Sequence, residues 1–278
     1  MSSSAHASPL PAIKLSSPAT REFWEVPVLY EDEHLLALNK PAGLKVAADP
    51  QEPSRPNLID LLHQGIATAK PWATARQLSF LMYAHRLDAE ATGTLLLAKS
   101  KPILTRLLDW FGSERATVSF IALAFGAPPE ERFSVEGKIA AHPLKAGLFH
   151  VNAKLGKRAR TSVEVLERFE GSALLRCVPH PNRPQQVRVH LARTGLKVMG
   201  DEAYGAKLLL LSRLKPDFRL KPKHVERPLI ARACIHAAQI QTVHPATDQP
   251  LSVEAPWPKD LQVALKYLRL YRARRATA

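Results

Sequence analysis

A charged segment with the sequence AHRLDAEATG, residues 84–93, runs directly into the apolar stretch TLLLA. The apolar stretch predicts a buried strand, so the polar residues before it form a loop at the rim of rigid structure, where catalytic groups commonly lie. Asp88 is therefore a candidate catalytic carboxylate, a residue type used in acid–base and nucleophilic catalysis. Its neighbour Arg86 allows a simpler alternative, in which the two side chains form only a surface ion pair.

A second basic segment, NRPQQVRVHL at residues 182–191, starts at a proline turn and continues into a helix. Two simpler interpretations of this helix stay open. It is either an amphipathic helix with solvated arginines or, extended as QQVRVHLARTG, the recognition helix of a DNA-binding regulator. The regulator ranks last, because the following KVMGDEAYG does not predict the second helix that such a motif needs.

Motifs for nucleotide cofactors, for catalytic zinc and for an activated serine are absent from the sequence. It contains no GxGxxG, GxxxxGK[ST], GxSxG, HExxH or CxxC, and its eleven histidines are scattered. We therefore predict neither a metal nor a cofactor. Cys177 and Cys234 are too few for a disulfide framework, which indicates a reducing compartment, with the cytoplasm as the default.

The elements that position these segments mix strand and helix patterns. The β-type runs are VPVLY, HLLALNK, GTLLLAKS, ATVSFIALAFG, FSVEGKIA, LFHVNA, SVEVLERF, ALLRCV, AAQIQTV and LSVEAP. Helical spacing marks NLIDLLHQGI, PILTRLLDWFG, QQVRVHLARTG and a last helix from Pro258. Because the two kinds do not alternate strictly, we predict an α+β fold, with a mixed, mainly antiparallel sheet, flanking helices and a cleft for the site.

The 278 residues are expected to form a disordered arm, residues 1–22, followed by one folded domain, residues 23–278. The arm is rich in Ser, Ala and Pro and lacks periodicity. The domain contains a basic insertion at 206–232 and ends in the C-terminal helix. No apolar run approaches the roughly 18 residues of a membrane-spanning helix.

The chain is strongly basic, with 39 Lys and Arg against 25 Asp and Glu, a net charge of +14. The charge is concentrated in KLGKRAR, in the stretch from Lys207 to Arg232 and in the tail YRARR. A single run of this kind is usually a solvated surface. Three of them together favour a face that binds phosphates, with nucleic acid or an anionic membrane as the leading partners.

The two charged segments occur together with flanks that resemble those of RluA-like pseudouridine synthases. Five segments match in family order: VLYEDEHLLALNKPAGL, HRLDAEATGTLLLAKS, ATVSFIALAFG, NRPQQVRVHLARTGLKVMGDEAYG and HAAQIQTVHPATDQPLSVEAPWPKDL. They cover about Val28 to Asp260. The resemblance implies the pseudouridine synthase catalytic fold and an enzyme that isomerises uridine in ribosomal or transfer RNA.

By this resemblance Asp88 matches the catalytic aspartate and Arg188 the arginine that pairs with it. An adjacent guanidinium keeps a partly enclosed carboxylate ionised, and an ionised Asp88 can act as a nucleophile. Arg86 then enters the RNA stack when the target base is flipped out, and Phe120 packs against the uracil. The remaining residues expected to contact substrate are His85, Thr92, Arg183, Gln186 and, on the other side of the pocket, Val187 or Leu191.

Several positions depart from the family pattern. Phe120 stands where most relatives have tyrosine, which keeps the stacking face but removes the hydroxyl. Ala89, Asn182, Pro184 and Gln185 also differ, all in loops expected to face RNA. The resemblance implies no metal and no cofactor, RNA as the partner, no membrane, and action as a monomer. An alternative is a catalytically inactive RNA-binding protein of the same fold.

Overall fold

The computed structural model describes residues 10–221 and 223–273. The described strands are β1 Ile13–Ser17, β2 Glu22–Val26, β3 Val28–Glu31, β4 Leu35–Lys40, β5 Met82–Tyr83, β6 Thr92–Ala98, β7 Thr117–Phe125, β8 Arg132–Glu136, β9 Ile139–Ala141, β10 Phe149–Val151, β11 Arg160–Phe169, β12 Ser172–His180, β13 Lys197–Val198, β14 Ile235–Val243 and β15 Pro250–Glu254. The helices are α1 Leu58–Ala67, α2 Pro71–Thr74, α3 Lys101–Gly112, α4 Gln186–Arg193 and α5 Lys259–Tyr271. Two short 3₁₀ turns follow α4, at Glu202–Tyr204 and Leu211–Arg213.

One large sheet organises the described residues. Its main order is β3-β4-β6-β14-β7-β12-β11-β8, and β13, β15 and β5 pair at its sides with β7, β14 and β6. Every pair in it is antiparallel except β14 with β6. The predicted α+β fold with a mixed, mainly antiparallel sheet is confirmed.

The parallel contact between β6 and β14 depends on a glycine. Gly93 pairs with Ala237, and its φ of +111° lies in a region that L side chains rarely adopt. A Cβ at Gly93 would lie 2.2 Å from the Ala237 carbonyl oxygen. Close backbone approach at this point brings the loop before β6 to the middle of the sheet.

The helices expected from the sequence are present and pack on one continuous hydrophobic core. In α1, Asn57 caps the N-terminus by accepting a 3.0 Å hydrogen bond from the Asp60 backbone N–H, and Leu58 and Leu62 are fully buried. Helix α5 buries Leu261, Leu265 and other residues at helical spacing. None of the described helices is long and apolar enough to cross a membrane.

The predicted N-terminal arm needs a correction. Residues 1–9 lie outside the described residues, but β1 lies within the segment expected to be disordered and forms a hairpin with β2. Ile13 and Leu15 are almost completely buried and belong to the main core. The Ser- and Pro-rich composition hid this short alternation of apolar and polar residues, which becomes favourable only when β2 and α1 cover it.

Candidate active site

A cleft of about 980 Å³ lies at the N-terminal end of β6. Both charged segments identified in the sequence contribute to its wall. The wall residues are drawn from segments 43–55, 84–90, 111–120, 146–149 and 179–187, together with Arg232 and Ile235. A large concave site with several charged groups is the default location for binding and chemistry.

The loop that carries Asp88 is fastened on both sides. Its start is held to β6, because the Leu96 backbone N–H donates to His85 Nε2 at 3.1 Å. Its middle is held to the turn after β4, where the Ala89 carbonyl accepts from Gly43 N–H at 2.8 Å and from Lys40 Nζ at 3.1 Å. Lys40 is fully buried, and burial lowers its pKa to about 7.

The Asp88 carboxylate faces the cleft with its side chain 17% exposed. One oxygen accepts a hydrogen bond of 3.1 Å from the Gln185 backbone N–H, and the other lies 3.4 Å from Arg188 Nη1. Burial raises the pKa of Asp88 above its usual value, the Arg188 charge opposes that rise, and the Glu90 charge adds to it. The guanidinium therefore offsets only part of the effect of burial.

Arg188 is only 2% exposed and binds three carboxylates from the first turn of α4. Its strongest contact is to Asp201, which accepts from Nε and Nη2 at 2.7 Å each. Its Nη1 donates to Glu90 at 3.1 Å as well as to Asp88. Burial alone would lower the pKa of Arg188, but the hydrogen bonds to Asp201 and the surrounding carboxylates raise it above its usual value. A permanently charged Arg188 is thus fixed behind Asp88.

Gln185 links Asp88 to the opposite side of the cleft. It precedes α4 with a φ of +52°, which directs its backbone N–H at Asp88. Its side-chain amide donates to the Gly147 carbonyl at 2.8 Å, and its amide oxygen accepts from the Tyr204 hydroxyl at 2.5 Å. Tyr204 also bonds the backbone of Phe149, and its ring lies 5.1 Å from the Arg188 guanidinium carbon.

The sequence model of the RNA pseudouridylate synthase family matches residues 34–193. The chain belongs to this family. It is 32% identical over 242 residues to the ribosomal large subunit pseudouridine synthase D of Nitrosomonas europaea, covering 87% of this chain and 65% of that protein. It is also 32% identical to the ribosomal large subunit pseudouridine synthase C of Vibrio cholerae, covering 93% of this chain and 73% of that one.

A solved human structure, RNA pseudouridylate synthase domain containing 4, shares the fold with a TM-score of 0.64 at 22% identity. The match covers 87% of this chain and 92% of the human chain. The family converts uridine to pseudouridine within RNA and is thus a family of isomerases. The resemblance to RluA-like synthases is confirmed.

The apolar part of the cleft wall comes from two strands, β7 and β14, and from helix α4. Phe120 on β7 is 5% exposed and lines the cleft, as does Val187 at the start of α4. Val118 and Ile235, which the sequence did not single out, complete the wall. Of the two residues predicted for the far side of the pocket, Val187 is in position, and Leu191 is not.

Two residues predicted to contact substrate lie outside the cleft, and a third is committed to the fold. Leu191 is fully buried in the core. Thr92 is 8% exposed and its hydroxyl pairs with His236 Nδ1 at 2.8 Å. Gln186 touches the cleft wall, but its amide binds the Arg160 carbonyl at 2.8 Å and the Arg183 N–H at 3.0 Å. Leu191 and Thr92 are directed into the core by the periodicity of the helix and the strand that carry them, whereas substrate contact by Gln186 stays a prediction.

The other predicted residues lie at the cleft and differ in how exposed their side chains are. Arg86 is exposed at the rim, 5.9 Å from the centre of the Tyr83 ring. His85 is buried, its pKa lowered to about 3 by that burial, so it is neutral and holds the loop to β6. Arg183 is half-buried on the cleft wall.

The alternative interpretations of α4 are wrong. Six of its eight residues are buried, including Arg188, so this arginine is not solvated and the helix face is not free to enter a DNA groove. The surface ion pair between Asp88 and Arg86 is also not formed, since Asp88 pairs with Arg188 from the distant segment.

Besides Val118 and Ile235, sequence analysis missed four polar residues at the site: Asp201, Tyr204, Glu90 and Lys40. Asp201 and Tyr204 belong to GDEAYG, and Lys40 to NKPAGL, so they stood inside the segments that carry the family resemblance. Nothing in the spacing indicated that Asp201 would bind Arg188. Among the described residues, no group of three His, Cys, Asp or Glu side chains could hold a metal ion.

Proposed function

We propose that this chain isomerises uridine to pseudouridine in ribosomal RNA, with Asp88 as the nucleophile acting on a flipped-out nucleotide. The observation that carries the proposal is the placement of the Asp88 carboxylate, held by the Gln185 N–H and Arg188 beside an apolar wall. The ribosomal target is supported by the names of the relatives from Nitrosomonas europaea and Vibrio cholerae.

The reaction breaks the N1–C1′ bond and joins C5 to C1′. The C5 hydrogen is lost to solvent and N1 gains a proton, so the product is an isomer of the substrate. Attack of the carboxylate on C1′, attack on C6 and a glycal route all use an ionised Asp88. The apolar wall formed by Phe120 and Val187 accepts a uracil face and keeps the free base from leaving.

A stacked base hides its sugar edge, so the nucleotide must leave the stack, at a cost of a few kcal/mol. Arg86 is exposed at the rim next to Asp88, where its side chain can fill the vacated space. Phosphate contacts offset the cost of flipping. Seven of the eight cations between Lys207 and Arg232 are exposed, whereas Arg232 pairs with Asp260.

We assign this exposed basic surface of the 206–232 segment to RNA binding. Neutralising Lys215, Arg219 and Lys221 together is expected to weaken RNA binding and to make the slope of log K against log salt shallower by about 2, at roughly 0.7 per phosphate contact on single strands. The rate of the chemical step at saturating RNA is expected to stay unchanged. An unchanged slope would remove this segment from the RNA interface.

The assignment of Asp88 is tested by release of tritium from RNA that contains 5-tritiated uridine. Asp88→Asn is expected to lower the rate of tritium release by about a thousandfold or more, the scale for loss of a catalytic nucleophile. Asp49→Asn is the matched control, since Asp49 lines the same cleft but pairs with Lys45. An Asp88→Asn protein that retains release would refute the assignment.

Mapping pseudouridines in cells with and without the gene tests the ribosomal target. Sites lost from ribosomal RNA are expected, and sites lost only from transfer RNA would move the proposal to that substrate. If the chain is instead an inactive RNA-binding protein, it binds RNA tightly, but the same pseudouridines are found in cells with and without the gene.

A further inference from the structure

A second cavity, of about 320 Å³, adjoins the cleft that contains Asp88. It lies between the β9–β10 hairpin and the turn that precedes α4. Its lining residues are Ile139, Ala140, Ala141, Phe149, Leu155, Lys157, Arg183 and Pro184. Phe149, Arg183 and Pro184 line both cavities, so the two spaces are neighbours along these residues.

The floor of the second cavity is apolar. Ile139 is 5% exposed and packs with Phe149 in a small hydrophobic cluster that is separate from the main core. At the rim Leu155 is 81% exposed, an unusual position for a large aliphatic side chain. The ring of Phe149 offers a flat surface on which a base can stack, and Ile139 and Leu155 add aliphatic contacts.

The rim is positively charged. The segment KLGKRAR, residues 154–160, has four cations and no acidic residue, and all four are exposed. Lys157 belongs to this segment and Arg183 reaches the cavity from the other side. Arg183 Nε is buried and has no hydrogen-bond partner among the described residues. A buried donor without a partner is costly unless a ligand supplies the acceptor.

The loop that presents Leu155 and Lys157 has a fixed backbone. The Asn152 side-chain oxygen accepts from the backbone N–H groups of Lys154 and Leu155 at 3.0 Å each. Lys157 exchanges two backbone hydrogen bonds with Ile139, at 2.8 and 2.9 Å. The exposed Leu155 is therefore held at the rim of the cavity before any ligand arrives, which lowers the entropic cost of binding.

We propose that the second cavity is a subsite for the base of a nucleotide adjacent to the target uridine. Leu155 and Phe149 contact the base, and Lys157 and Arg183 bind the phosphates on either side of it. The inference rests on the proposed function, because it requires an RNA strand whose uridine enters the neighbouring cleft. A purely apolar ligand would leave the cations at the rim unpaired, whereas a nucleotide supplies both the flat base and the anionic phosphate.

The test uses RNA oligonucleotides centred on a uridine that the wild-type chain modifies, each with one neighbouring base replaced by an abasic ribose. Binding is measured by fluorescence anisotropy and catalysis by kcat/KM for pseudouridine formation. For the wild type, loss of one particular neighbouring base is expected to weaken binding about tenfold, the scale of stacking one base on a protein side chain. In the double variant Leu155→Ser with Lys157→Ala, the intact RNA binds more weakly, and the same abasic substitution has no further effect.

The matched control is Leu144→Ser with Lys145→Ala. Leu144 is 89% exposed on the same hairpin, and neither residue lines the second cavity. The control is expected to keep the wild-type abasic penalty. The subsite is refuted if no neighbouring position shows a penalty, or if the penalty is the same in the Leu155 and Lys157 variant as in the wild type. A wild-type chain that forms no pseudouridine on any RNA would instead refute the proposed function.

Discussion

Replacement of Asp201 by asparagine tests how strongly the fold depends on the ion pair behind Asp88. Asp201 and Arg188 are each 2% exposed and share two hydrogen bonds of 2.7 Å. Asn keeps the shape but removes the charge, which leaves Arg188 buried with the longer contacts to Glu90 and Asp88, at 3.1 and 3.4 Å. Removing one partner of a buried pair costs about 3–5 kcal/mol in the free energy of unfolding.

That loss is measurable by urea unfolding and by thermal unfolding. A change of 1 kcal/mol shifts Tm by roughly 2–4 °C in a chain somewhat smaller than this one, so we expect Asp201→Asn to lower Tm by about 10 °C. Asp260→Asn is the matched control. Asp260 also makes two hydrogen bonds to one arginine, Arg232, at 2.8 and 3.0 Å, but it is 32% exposed.

The control is expected to lose no more than about 1 kcal/mol, since solvent screens a partly exposed pair. The comparison isolates burial, because the two pairs have the same bidentate geometry. Equal losses for the two variants would contradict the reasoning. A loss below about 1 kcal/mol for Asp201→Asn would contradict it as well, since the buried charge of Arg188 would then cost almost nothing.

Three further predictions concern the groups around Asp88. Glu90→Gln removes a charge that raises the pKa of Asp88, so the acid limb of the pH profile of kcat/KM is expected to move to lower pH. An acid limb that stays in place or moves to higher pH would exclude an effect of Glu90 on the pKa of Asp88. Burial lowers the pKa of Lys40 to about 7, so between pH 7 and 10 the Lys40 ammonium keeps its proton only in the unfolded chain. The free energy of unfolding of the wild type is therefore expected to rise with pH relative to that of Lys40→Met. Urea unfolding across this range measures the difference, and a difference that does not change with pH would refute the prediction. Tyr204→Phe keeps the ring beside the Arg188 guanidinium but removes the hydroxyl contacts to Gln185 and Phe149 that hold the cleft wall. We expect kcat/KM to fall about tenfold and Tm to fall less than in Asp201→Asn. Full activity would show that these contacts do not position the site.

Local sequence patterns predicted the main elements correctly where burial follows the chain's own periodicity. The TLLLA run is a fully buried strand, and NLIDLLHQGI forms α1 after its Asn57 cap. Local composition predicted burial wrongly at residues whose burial depends on a distant part of the chain. Ile13 and Leu15 lie in a polar segment but are covered by β2 and α1, and Arg232 lies in a basic run but pairs with Asp260.

The sequence by itself determined that Asp88 lies in a charged loop that leads into a buried strand. An apolar run is buried and the polar residues next to it stay at the surface whatever the rest of the chain does. Only the tertiary structure decided what surrounds that carboxylate. Its partners Gln185 and Arg188 are 97 and 100 residues away, and the strongest contact of Arg188 is to Asp201. Such pairings depend on how the sheet folds the distant segments together, and the energy of a charge depends on its burial, which no local pattern specifies.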